Sequence, residues 1–512
     1  MSLFFFEKKK KISIYIFAAL ISLFLSYDSS LRGAVINPDG ICYLQSAEAI
    51  ATTNLSTAMH LCGQAQWPFY SILIYNVVAL TNISYISAAF VLNGFFSLIS
   101  VVTFIYLIGL ISASRRVLWC AAAVILLSHE FNSVREYVIR DHGFWAFYLV
   151  SIVCLIKFFK TLRWRYALLW SLFSLLAMLF RIEGGVFLLF VPLSALLYFS
   201  LPLRQRLKAF FQLNFMSILL VALFAIWLGF FSHQDAQLSR IAEIQFHLIH
   251  GLDKLTSSFE QSSTALGQHV LSPYAARDAS FVLLLMLGAW YIASVISNVS
   301  IVYAALIIFA WIRKAVQFDK PTQWVVWSYV IINVLITMIF LVENMFLAKR
   351  YLIALSLILM VWVPFALDNM FELRRRFKWL LPSVIVLMLL TALGGIFDFG
   401  YSKSYIRYAG EWLAKHVPAN AVIYSNDTQV MYYSKHFGND IFIKGKLYSD
   451  MSVLENGKWK QFDYIALHLD SRDKEKNAHI TNEIALSPTH VYANKRGDQV
   501  IIYQVEDSGD KK

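Results

Sequence analysis

Charged residues are scarce in this 512-residue chain, making up only 15% of it, while hydrophobic residues make up 58% and aromatic residues 16%. The mean hydropathy is +0.59. In soluble domains about a quarter of the residues are charged and roughly half are apolar. The composition therefore excludes an ordinary soluble protein and indicates a polytopic membrane protein.

Several familiar motifs are also missing. The four cysteines, Cys42, Cys62, Cys120 and Cys154, form no CxxC pair and no zinc-type spacing, which argues against a structural metal or a redox motif. We find no glycine-rich phosphate loop, no internal repeat and no low-complexity tract. The first apolar run lacks a cleavage site of small residues, so we expect residues 12–27 to form a retained first helix rather than a removed signal peptide.

What the chain does contain is a series of apolar stretches near the length of a membrane span, about 20 residues. We predict eleven spans: 12–27, 85–110, 117–131, 143–159, 166–180, 184–201, 209–231, 280–311, 324–342, 351–368 and 379–397. The shorter stretch 67–80 fits a helix lying along the membrane surface better than a span.

The net charge of +12 is explained by basic clusters between these spans. With eleven spans, all of the clusters fall on one side: 8–11, 115–116, 157–165, 204–208, 313–320 and 374–378. The positive-inside rule makes that side cytoplasmic, whereas a spanning 67–80 would put the clusters on opposite sides. We therefore predict a cytoplasmic amino terminus, an extracytoplasmic carboxyl terminus and no nucleic-acid site.

The outer side then has three larger pieces, loops 28–84 and 232–279 and a tail. The tail begins with the helical pattern "SYIRYAGEWLAKHV" and continues with short strand-like runs between polar turns. The predicted fold is an all-α polytopic membrane domain, residues 1–399, followed by a small extracytoplasmic α/β domain, residues 400–512. Within the tail, Asn426 and Asp427 follow a predicted strand, which is a generic position for ligand binding.

The loop 232–279 is polar and contains His233, His247, His250 and His269. Because loops of this kind often close over a substrate, we interpret it as a mobile cover. The alternative is that His247 and His250, three residues apart on one helix face, form a weak metal pair.

Ionisable residues gather at the predicted outer ends of the spans, where charge at membrane depth is costly. They lie in "SVREYVIRDHGFW", "LFRIEGG" and "VENMFLAKRYL" and are Arg135, Glu136, Arg140, Asp141, His142, Arg181, Glu183, Glu343, Lys349 and Arg350. Singly, each is explained by a snorkelling anchor or an ion pair, and Arg181 and Glu183 could neutralise each other. Together, arginines at one depth suit bidentate binding of an anionic head group.

Asp39 is the only ionisable residue in "INPDGICYL", residues 36–44, which follows the first predicted span. The sequence Pro-Asp-Gly predicts a turn, or Asp39 as the N-cap of the helix that follows. A carboxylate fixed there is also well placed to act as a base. His142 could similarly serve as an acid or base, or simply hold a helix end.

The order of these motifs along the topology resembles the GT-C glycosyltransferases, membrane enzymes that use polyprenyl-phosphate sugars and include protein O-mannosyltransferases and lipid A aminoarabinose transferases. The matching segments are "PDGICYLQSAEAI", "WPFYSILIY", "RDHGF", "RIEGG" and "KRYL". The resemblance is best over the first 200 residues, weaker over 320–400, and concerns only the layout in the tail.

The resemblance implies that Asp39 is the catalytic carboxylate and Asp141 a second acidic residue of the site. It implies that the donor phosphate is held by Arg181 and Arg350, with Arg140 and Lys349 as further candidates. The remaining predicted substrate-binding residues are Arg135, Glu183, Tyr43 and His142. Protein O-mannosyltransferases have Asp-Glu where this chain has Asp-Gly, so the protein-modifying branch is disfavoured.

Two further predictions concern the disulfide and the metal. Cys42 and Cys62 both fall in the first outer loop, where an oxidising compartment permits a disulfide; two buried thiols are the alternative. A divalent metal occurs in some relatives, but the acidic residues here are too scattered to argue for a site, and no cofactor is predicted with certainty.

We therefore predict an inverting glycosyltransferase of the inner membrane that moves a sugar from a polyprenyl-phosphate donor to an outward-facing acceptor. The acceptor is expected to be a cell-envelope glycolipid, such as lipopolysaccharide, or a polysaccharide. The alternatives are a polytopic transporter or flippase, which tends to have polar groups deep in its spans, and a glycan polymerase or ligase.

Overall fold

The computed structural model describes residues 2–231, 239–373, 377–397, 399–438, 441 and 454–505. The chain forms two compact units. The helical unit comprises Met1–Tyr27, Asn93–Arg135 and Arg140–Asp398. The sheet unit comprises Asp28–Leu92, Glu136–Ile139 and Phe399–Lys512, so it includes the first predicted outer loop as well as the tail.

The α-helices are, in chain order, α1 Ser2–Arg32, α2 Pro38–Thr52, α3 Leu55–His60, α4 Phe69–Thr81, α5 Tyr85–Gly109, α6 Arg115–Leu126, α7 His129–Ser133, α8 Asp141–Thr161, α9 Trp164–Phe180, α10 Gly184–Leu197, α11 Leu203–Phe231, α12 Ser239–His269, α13 Ala279–Val299, α14 Ile301–Ile312, α15 Lys320–Asn344, α16 Lys349–Leu359, α17 Val363–Leu373, α18 Leu380–Ile396, α19 Ser404–His416, α20 Thr428–Ser434 and α21 Lys474–Ile484. The strands are β1 Ile423–Ser425, β2 Tyr464–Leu469, β3 His490–Ala493 and β4 Gln499–Gln504.

Within the described residues, six helical segments are long and apolar enough to cross a membrane. They are Lys11–Arg32, Tyr85–Gly109, Asp141–Thr161, Ala276–Val299, Lys320–Asn344 and Lys349–Leu373. Shorter apolar helices include α4, α9, α10, α14 and α18. The chain is thus an integral membrane protein, while the count of eleven spans, the placement of α4 along the surface and the orientation stay predictions.

One predicted span is not a single helix. The stretch 280–311 is two helices, α13 and α14, because Ser300 between them adopts a φ of +78°. The Ser300 hydroxyl caps α14 by accepting a hydrogen bond from the Tyr303 amide at 3.3 Å. Span 117–131 is also interrupted, since α6 ends at Leu126 and α7 begins at His129. A hydropathy average over a span-length window shows neither break, because each short group of polar residues, 128–130 and 297–300, adjoins long apolar runs.

Close packing of α8 against α9 determines the position of Asp141 at one end of this helix pair. A Cβ atom on Gly143 would lie 2.3 to 2.5 Å from ring atoms of Phe180, so the two helices can approach this closely only because residue 143 is glycine. A Cβ atom on Gly184 would lie 2.5 Å from the Met178 amide nitrogen. These two glycines bring Asp141, at the start of α8, beside the link between α9 and α10.

The sheet unit contains a mixed four-stranded sheet in the order β1-β2-β4-β3. Strands β1 and β2 are parallel, with Ile423 paired to Tyr464, whereas β2 with β4 and β3 with β4 are antiparallel. Alternate residues along each strand belong to two hydrophobic clusters. Ala466, Val500 and Ile502 pack with α19 and α20, whereas Ile465 and Ile501 pack with α21.

The predicted helix at the start of the tail is confirmed as α19, and the predicted small sheet is present. One of the strand-like runs of the tail, "DIFIKG" at 440–445, lies outside the described residues except for Ile441. Residues 232–238, with His233, lie outside them as well. The rest of the polar segment 232–279 contains the long helix α12, with exposed His269 at its end; the side chains of His247 and His250 are not among those described.

The predicted turn at Pro38-Asp39-Gly40 is wrong. Helix α2 begins at Pro38, which suits the first helical position because it needs no amide hydrogen, and Asn37 is the N-cap. The Asn37 amide group instead binds the backbone of Val138: Oδ1 accepts from the Val138 amide at 2.9 Å and Nδ2 donates to its carbonyl at 3.3 Å. Asp39 therefore lies in the first turn of a helix whose start is fixed to residues 136–139.

Glycine at position 40 is required by this contact. We expect Gly40→Ala to destabilise the protein by about 1–3 kcal/mol, because its Cβ would lie 2.8 Å from Asn37 Oδ1 and 2.9 Å from Val138 Cβ. Gly33→Ala is the matched control, since a Cβ there meets nothing within 4 Å. Thermal unfolding of the purified protein measures both; equal melting temperatures for the two variants would contradict the packing argument.

Cys42 and Cys62 are joined by a disulfide. It connects α2 to the start of the short 3-10 helix Gly63–Gln66, over a sequence separation of 20 residues. Closing a loop of this length in the unfolded chain stabilises the folded state by about 3 kcal/mol on the chain-entropy model. Cys120 and Cys154 are buried free thiols.

Candidate active site

Three charged side chains form a compact cluster in the helical unit. Arg181 forms ion pairs with Asp141 and with Glu183, and its Nε also donates to Glu183 Oε2 at 3.2 Å. Asp141 is 3% exposed and Arg181 8% exposed. The predicted neutralisation of Arg181 by Glu183 is therefore present, but the second carboxylate, Asp141, comes from a segment 40 residues earlier in the chain.

Glu183 lies on the link between α9 and α10, outside both helices. Burial alone would raise the pKa of its carboxyl group, but the charge and hydrogen bonds of Arg181 outweigh burial and lower the pKa to about 2. Arg140 also contributes to lowering it. Glu183 is consequently ionised at neutral pH and holds the Arg181 guanidinium in place.

A second guanidinium lies in the same region. Arg181 and Arg350 both approach the ring of Tyr351, with guanidinium carbons 4.6 and 5.4 Å from the ring centroid. Both arginines line a cavity of about 50 Å³, whose wall also includes Phe144 and Asn333. Two arginines that approach one aromatic ring and line one cavity are suited to bind an anion through two planar groups of donors. The cavity itself has room for one or two water molecules.

Arg140 is the N-cap residue of α8 and is partly exposed. Its Nη1 atom is buried and has no hydrogen-bond partner in the described part of the chain. A guanidinium nitrogen in that condition is costly to bury unless a further acceptor is supplied. Of the predicted phosphate ligands, Arg140 thus has a buried donor without a partner in the described chain, directly before Asp141 in the sequence.

Lys349 is 61% exposed at its side chain and pairs with Glu130, whose Oε1 lies 2.6 Å from Lys349 Nζ. Glu130 is buried and also lies 3.7 Å from His129 Nε2. Sequence reasoning missed both residues of α7, because they fall at the end of a stretch that hydropathy assigns to a span. The ion pair fixes the first residue of α16, which places Arg350 in the following position.

Arg135 does not have the environment of a substrate ligand. It is 2% exposed, and its guanidinium donates to Asn132 Oδ1 at 2.9 Å, to the Ser22 carbonyl at 3.1 Å and to Ser26 Oγ at 2.6 Å. The guanidinium carbon lies 5.1 Å from the Phe131 ring centroid. These Arg135 donors serve contacts inside the helical unit, and its role in substrate binding stays a prediction.

His142 and Tyr43 are interior residues as well, and their contact with substrate likewise stays a prediction. His142 is buried, with Nε2 3.1 Å from the Val134 carbonyl and Nδ1 3.4 Å from Ser97 Oγ. This is the alternative in which a histidine holds a helix end. Tyr43 is buried in the sheet unit against Tyr70, with ring centroids 5.2 Å apart.

Asp39 belongs to the sheet unit and is partly exposed. Its Oδ1 accepts a hydrogen bond from Gln64 Nε2 at 2.7 Å. Gln64 lies in the short helix that the Cys42–Cys62 disulfide ties to α2, so the disulfide and the hydrogen bond together fix the carboxylate. A carboxylate held in a fixed orientation is suited to accept a proton. Sequence reasoning did not identify Gln64, because the pairing requires the folded loop.

In the tail, Asn426 and Asp427 hold the fold together. Asp427 Oδ1 caps α20 by accepting from the Gln429 and Val430 amides at 2.6 and 3.3 Å, and its Oδ2 lies 2.6 Å from His468 Nδ1. Asn426 exchanges two hydrogen bonds with the backbone of His468. These contacts account for both residues structurally. Nowhere among the described residues do three His, Cys, Asp or Glu side chains form a set able to hold a metal ion.

No protein-family model matches the sequence, and no curated protein matches it. Solved structures do match. The archaeal oligosaccharyltransferase AglB from Archaeoglobus fulgidus, in complex with an inhibitory peptide and a dolichol-phosphate, superposes with a TM-score of 0.52 at 11% identity, over 97% of this chain and 74% of its own. ArnT from Cupriavidus metallidurans, bound to undecaprenyl phosphate, gives 0.50 at 12% identity, over 96% and 97%. The predicted resemblance to the GT-C fold is confirmed.

Proposed function

We propose that this protein transfers a glycosyl group from a polyprenyl-phosphate donor to an acceptor hydroxyl. The observation that supports the proposal most is the pair of guanidiniums, Arg181 and Arg350, that approach the Tyr351 ring and line one cavity. It occurs in a fold shared with two solved structures, one containing a dolichol-phosphate and the other undecaprenyl phosphate. A lipid-linked phosphate is the ligand that this chemistry and these two structures have in common.

The donor phosphate would be bound by Arg350, with Arg181 and Arg140 beside it. Arg350 lines the cavity next to Tyr351, and Arg140 Nη1 is a buried donor with no partner in the described chain. The leaving group of a sugar phosphate gains negative charge as the glycosidic bond breaks, and fixed guanidiniums stabilise that charge. Asp141 and Glu183 would position Arg181 rather than contact the sugar.

Asp39 would be the catalytic base. In a single inverting displacement, the acceptor oxygen forms a bond to the anomeric carbon while the bond from that carbon to the phosphate oxygen breaks. The acceptor proton moves to the Asp39 carboxylate, and the electron pair of the broken bond stays with the polyprenyl phosphate. The hydrogen bond from Gln64 to Oδ1 supports this role, since it orients the carboxylate without protonating it.

The acceptor is proposed to be an outward-facing glycolipid, such as lipopolysaccharide, or a polysaccharide of the cell envelope, with the enzyme in the inner membrane. The Asp-Gly sequence at 39–40 favours such an acceptor over protein, because the related protein-modifying enzymes have Asp-Glu there. Gly40 is also too closely packed to be replaced by glutamate.

The experiment compares polyprenyl-phosphate sugars and envelope glycans by mass spectrometry in cells with the gene, without it, and without it but complemented. We expect one polyprenyl-phosphate sugar to accumulate in the deletion and one glycan to lose a single sugar, both reversed by complementation. A glycan that loses a whole repeat would instead indicate a polymerase or ligase. If neither the polyprenyl-phosphate sugars nor the envelope glycans change, the result would favour a transporter.

A further inference from the structure

The first turn of α16, which contains Arg350, is not fixed by a local cap. Helix α15 ends at Asn344 and α16 begins at Lys349, so the link between them is short. Its first residue, Met345, has a left-handed φ of +50°, and its last, Ala348, is the N-cap residue of α16. Alanine has no side-chain oxygen that could bind the free amides of the first turn. The position of this turn therefore depends on contacts with other helices.

A buried asparagine supplies one of these contacts. Asn298 lies in the last turn of α13 and is 2% exposed. Its Nδ2 donates to the Lys349 carbonyl at 2.7 Å, and its Oδ1 accepts from Ser356 Oγ at 2.6 Å. Helix carbonyls point towards the carboxyl end and side chains tilt towards the amino end, so two groups seven residues apart can meet one amide. Asn298 thus joins α13 to two successive turns of α16.

The position of this amide in an apolar segment makes the contact specific. Asn298 belongs to the segment Ala276–Val299, which is long and apolar enough to cross a membrane. A polar amide in such surroundings is costly to bury unless its donor and its acceptor are both hydrogen-bonded. Both hydrogen bonds are made to α16. The first turn of α16 is therefore tied to α13 by a side chain that fits this one arrangement.

Lys349 is also held through its side chain, which pairs with Glu130 of α7. Helix α7 is in turn fixed to α18, because His129 Nδ1 lies 2.9 Å from the Thr391 carbonyl oxygen. Gly395 of α18 leaves no room for a Cβ atom against the His129 carbonyl, so the two helices are closely packed there. The first residue of α16 is thus anchored by its backbone to α13 and by its side chain to α7.

Arg350 follows Lys349 directly, so the position of Lys349 determines where the Arg350 side chain begins. The Arg350 guanidinium carbon lies 5.4 Å from the Tyr351 ring centroid, and Arg350 lines the same cavity as Arg181. A binding group has to be held within about 0.5 Å of its productive position. A first turn without a side-chain cap meets that requirement when neighbouring helices hold it.

We propose that Asn298 is a positioning residue for the donor phosphate: by binding the Lys349 carbonyl and Ser356, it holds Arg350 where its guanidinium meets the phosphate. Neither of these two hydrogen bonds involves Arg350, so Asn298 acts through the backbone of α16. The role of Arg350 as a phosphate ligand rests on the proposed function.

The test measures the affinity of the full-length protein in detergent for undecaprenyl phosphate by native mass spectrometry. Arg350→Met is expected to weaken binding at least about tenfold, because it removes a charge-assisted hydrogen bond. Asn298→Leu has nearly the same size and loses both hydrogen bonds to α16. We expect it to weaken binding about three- to tenfold, less than Arg350→Met, because the guanidinium is displaced but still present.

The double variant decides whether Asn298 acts through Arg350. If it does, Asn298→Leu causes no further loss of affinity in a protein that already has Arg350→Met. Losses that add would overturn the positioning role. So would unchanged affinity in Asn298→Leu alone beside a weakened Arg350→Met, and that result leaves the transferase proposal intact. Unchanged affinity in Arg350→Met would refute both the positioning role and the phosphate-binding role of Arg350.

A pair of serine variants controls for the general loss of a hydrogen bond between helices. Ser356→Ala removes the donor that orients the Asn298 amide, and we expect weaker binding of undecaprenyl phosphate. Ser171→Ala is the matched control, because buried Ser171 donates to the Leu213 carbonyl at 3.0 Å and joins α9 to α11 instead. We expect similar melting temperatures for the two variants and unchanged affinity in the control. If Asn298→Leu does not fold, this pair decides: equal affinities would overturn the proposal.

Discussion

Asp39→Asn is expected to lower the rate of glycosyl transfer by about 10²–10⁴-fold while leaving the protein folded. Asparagine keeps the Oδ1 acceptor that Gln64 Nε2 binds at 2.7 Å, so the local structure can persist. What the substitution removes is the negative charge and the basic oxygen. Asp39 lies in the first turn of α2, where a negative charge interacts favourably with the helix dipole. Losing that interaction lowers the stability of the protein by only about 0.3–1 kcal/mol.

The measurement is the release of polyprenyl phosphate by purified protein from the donor that accumulates in the deletion strain. Asp473→Asn is the matched control, because it makes the same chemical change at an exposed residue of the sheet unit that caps no helix through its side chain. We expect Asp473→Asn to retain full activity. An Asp39→Asn protein as active as this control would exclude Asp39 as the base.

Much of the fold could be predicted because membrane helices and sheet strands have different patterns of apolar residues. A membrane helix is a long apolar run, whereas a strand is a short run bounded by polar turns. Helices α8, α9, α10 and α15 coincide with uniform apolar runs, and the α19 pattern was visible in the tail. The breaks were not visible. Ser300 lies in a run that is apolar on average, and Pro-Asp-Gly predicts a turn unless the contact of Asn37 with the Val138 backbone is known.

The candidate site was predicted in part. The sequence predicted Arg181, Glu183 and Arg350 as site residues, because ionisable residues are rare at the ends of membrane spans. The sequence alone could not distinguish arginines that are engaged inside the protein from arginines that have a donor left over. Arg135 and Arg140 have the same local pattern, yet Arg135 has its donors engaged inside the helical unit while Arg140 Nη1 lacks a partner in the described chain.

Ion pairs between residues distant in sequence could not be predicted either. Asp141 pairs with Arg181 across 40 residues and Lys349 pairs with Glu130 across 219, and no local pattern encodes either contact. Both depend on helix packing, the first on Gly143 and Gly184. A sequence can indicate that charges lie at one end of a bundle, but the choice of partner is made by side-chain shape within the bundle.

The second large effect is expected at Arg181. We expect Arg181→Met to destabilise the protein by about 3–5 kcal/mol, because it leaves Asp141 buried without its cation. Glu183 contributes less to this cost, since its side chain is 31% exposed. Arg116→Met is the control: it also breaks an ion pair, with Asp368, but the Arg116 side chain is 47% exposed, and an exposed pair contributes about 1 kcal/mol or less.

The triple variant Arg181→Met, Asp141→Asn, Glu183→Gln separates stability from substrate binding. Removing all three charges together avoids an uncompensated buried charge, so thermal unfolding should show most of the lost stability restored. A triple variant no more stable than Arg181→Met would show that the carboxylates are not the cause of the destabilisation.

Activity of the folded triple variant then decides the role of Arg181. If Arg181 contacts the donor phosphate, the variant is folded and its affinity for undecaprenyl phosphate falls by at least tenfold, because a charge-assisted hydrogen bond is worth about 1.5–3 kcal/mol. If the cluster serves only to join α8 to the α9–α10 link, affinity is retained and the phosphate is left to Arg350 and Arg140. Both results are compatible with a folded protein, so they separate the phosphate-binding role of Arg181 from its structural role.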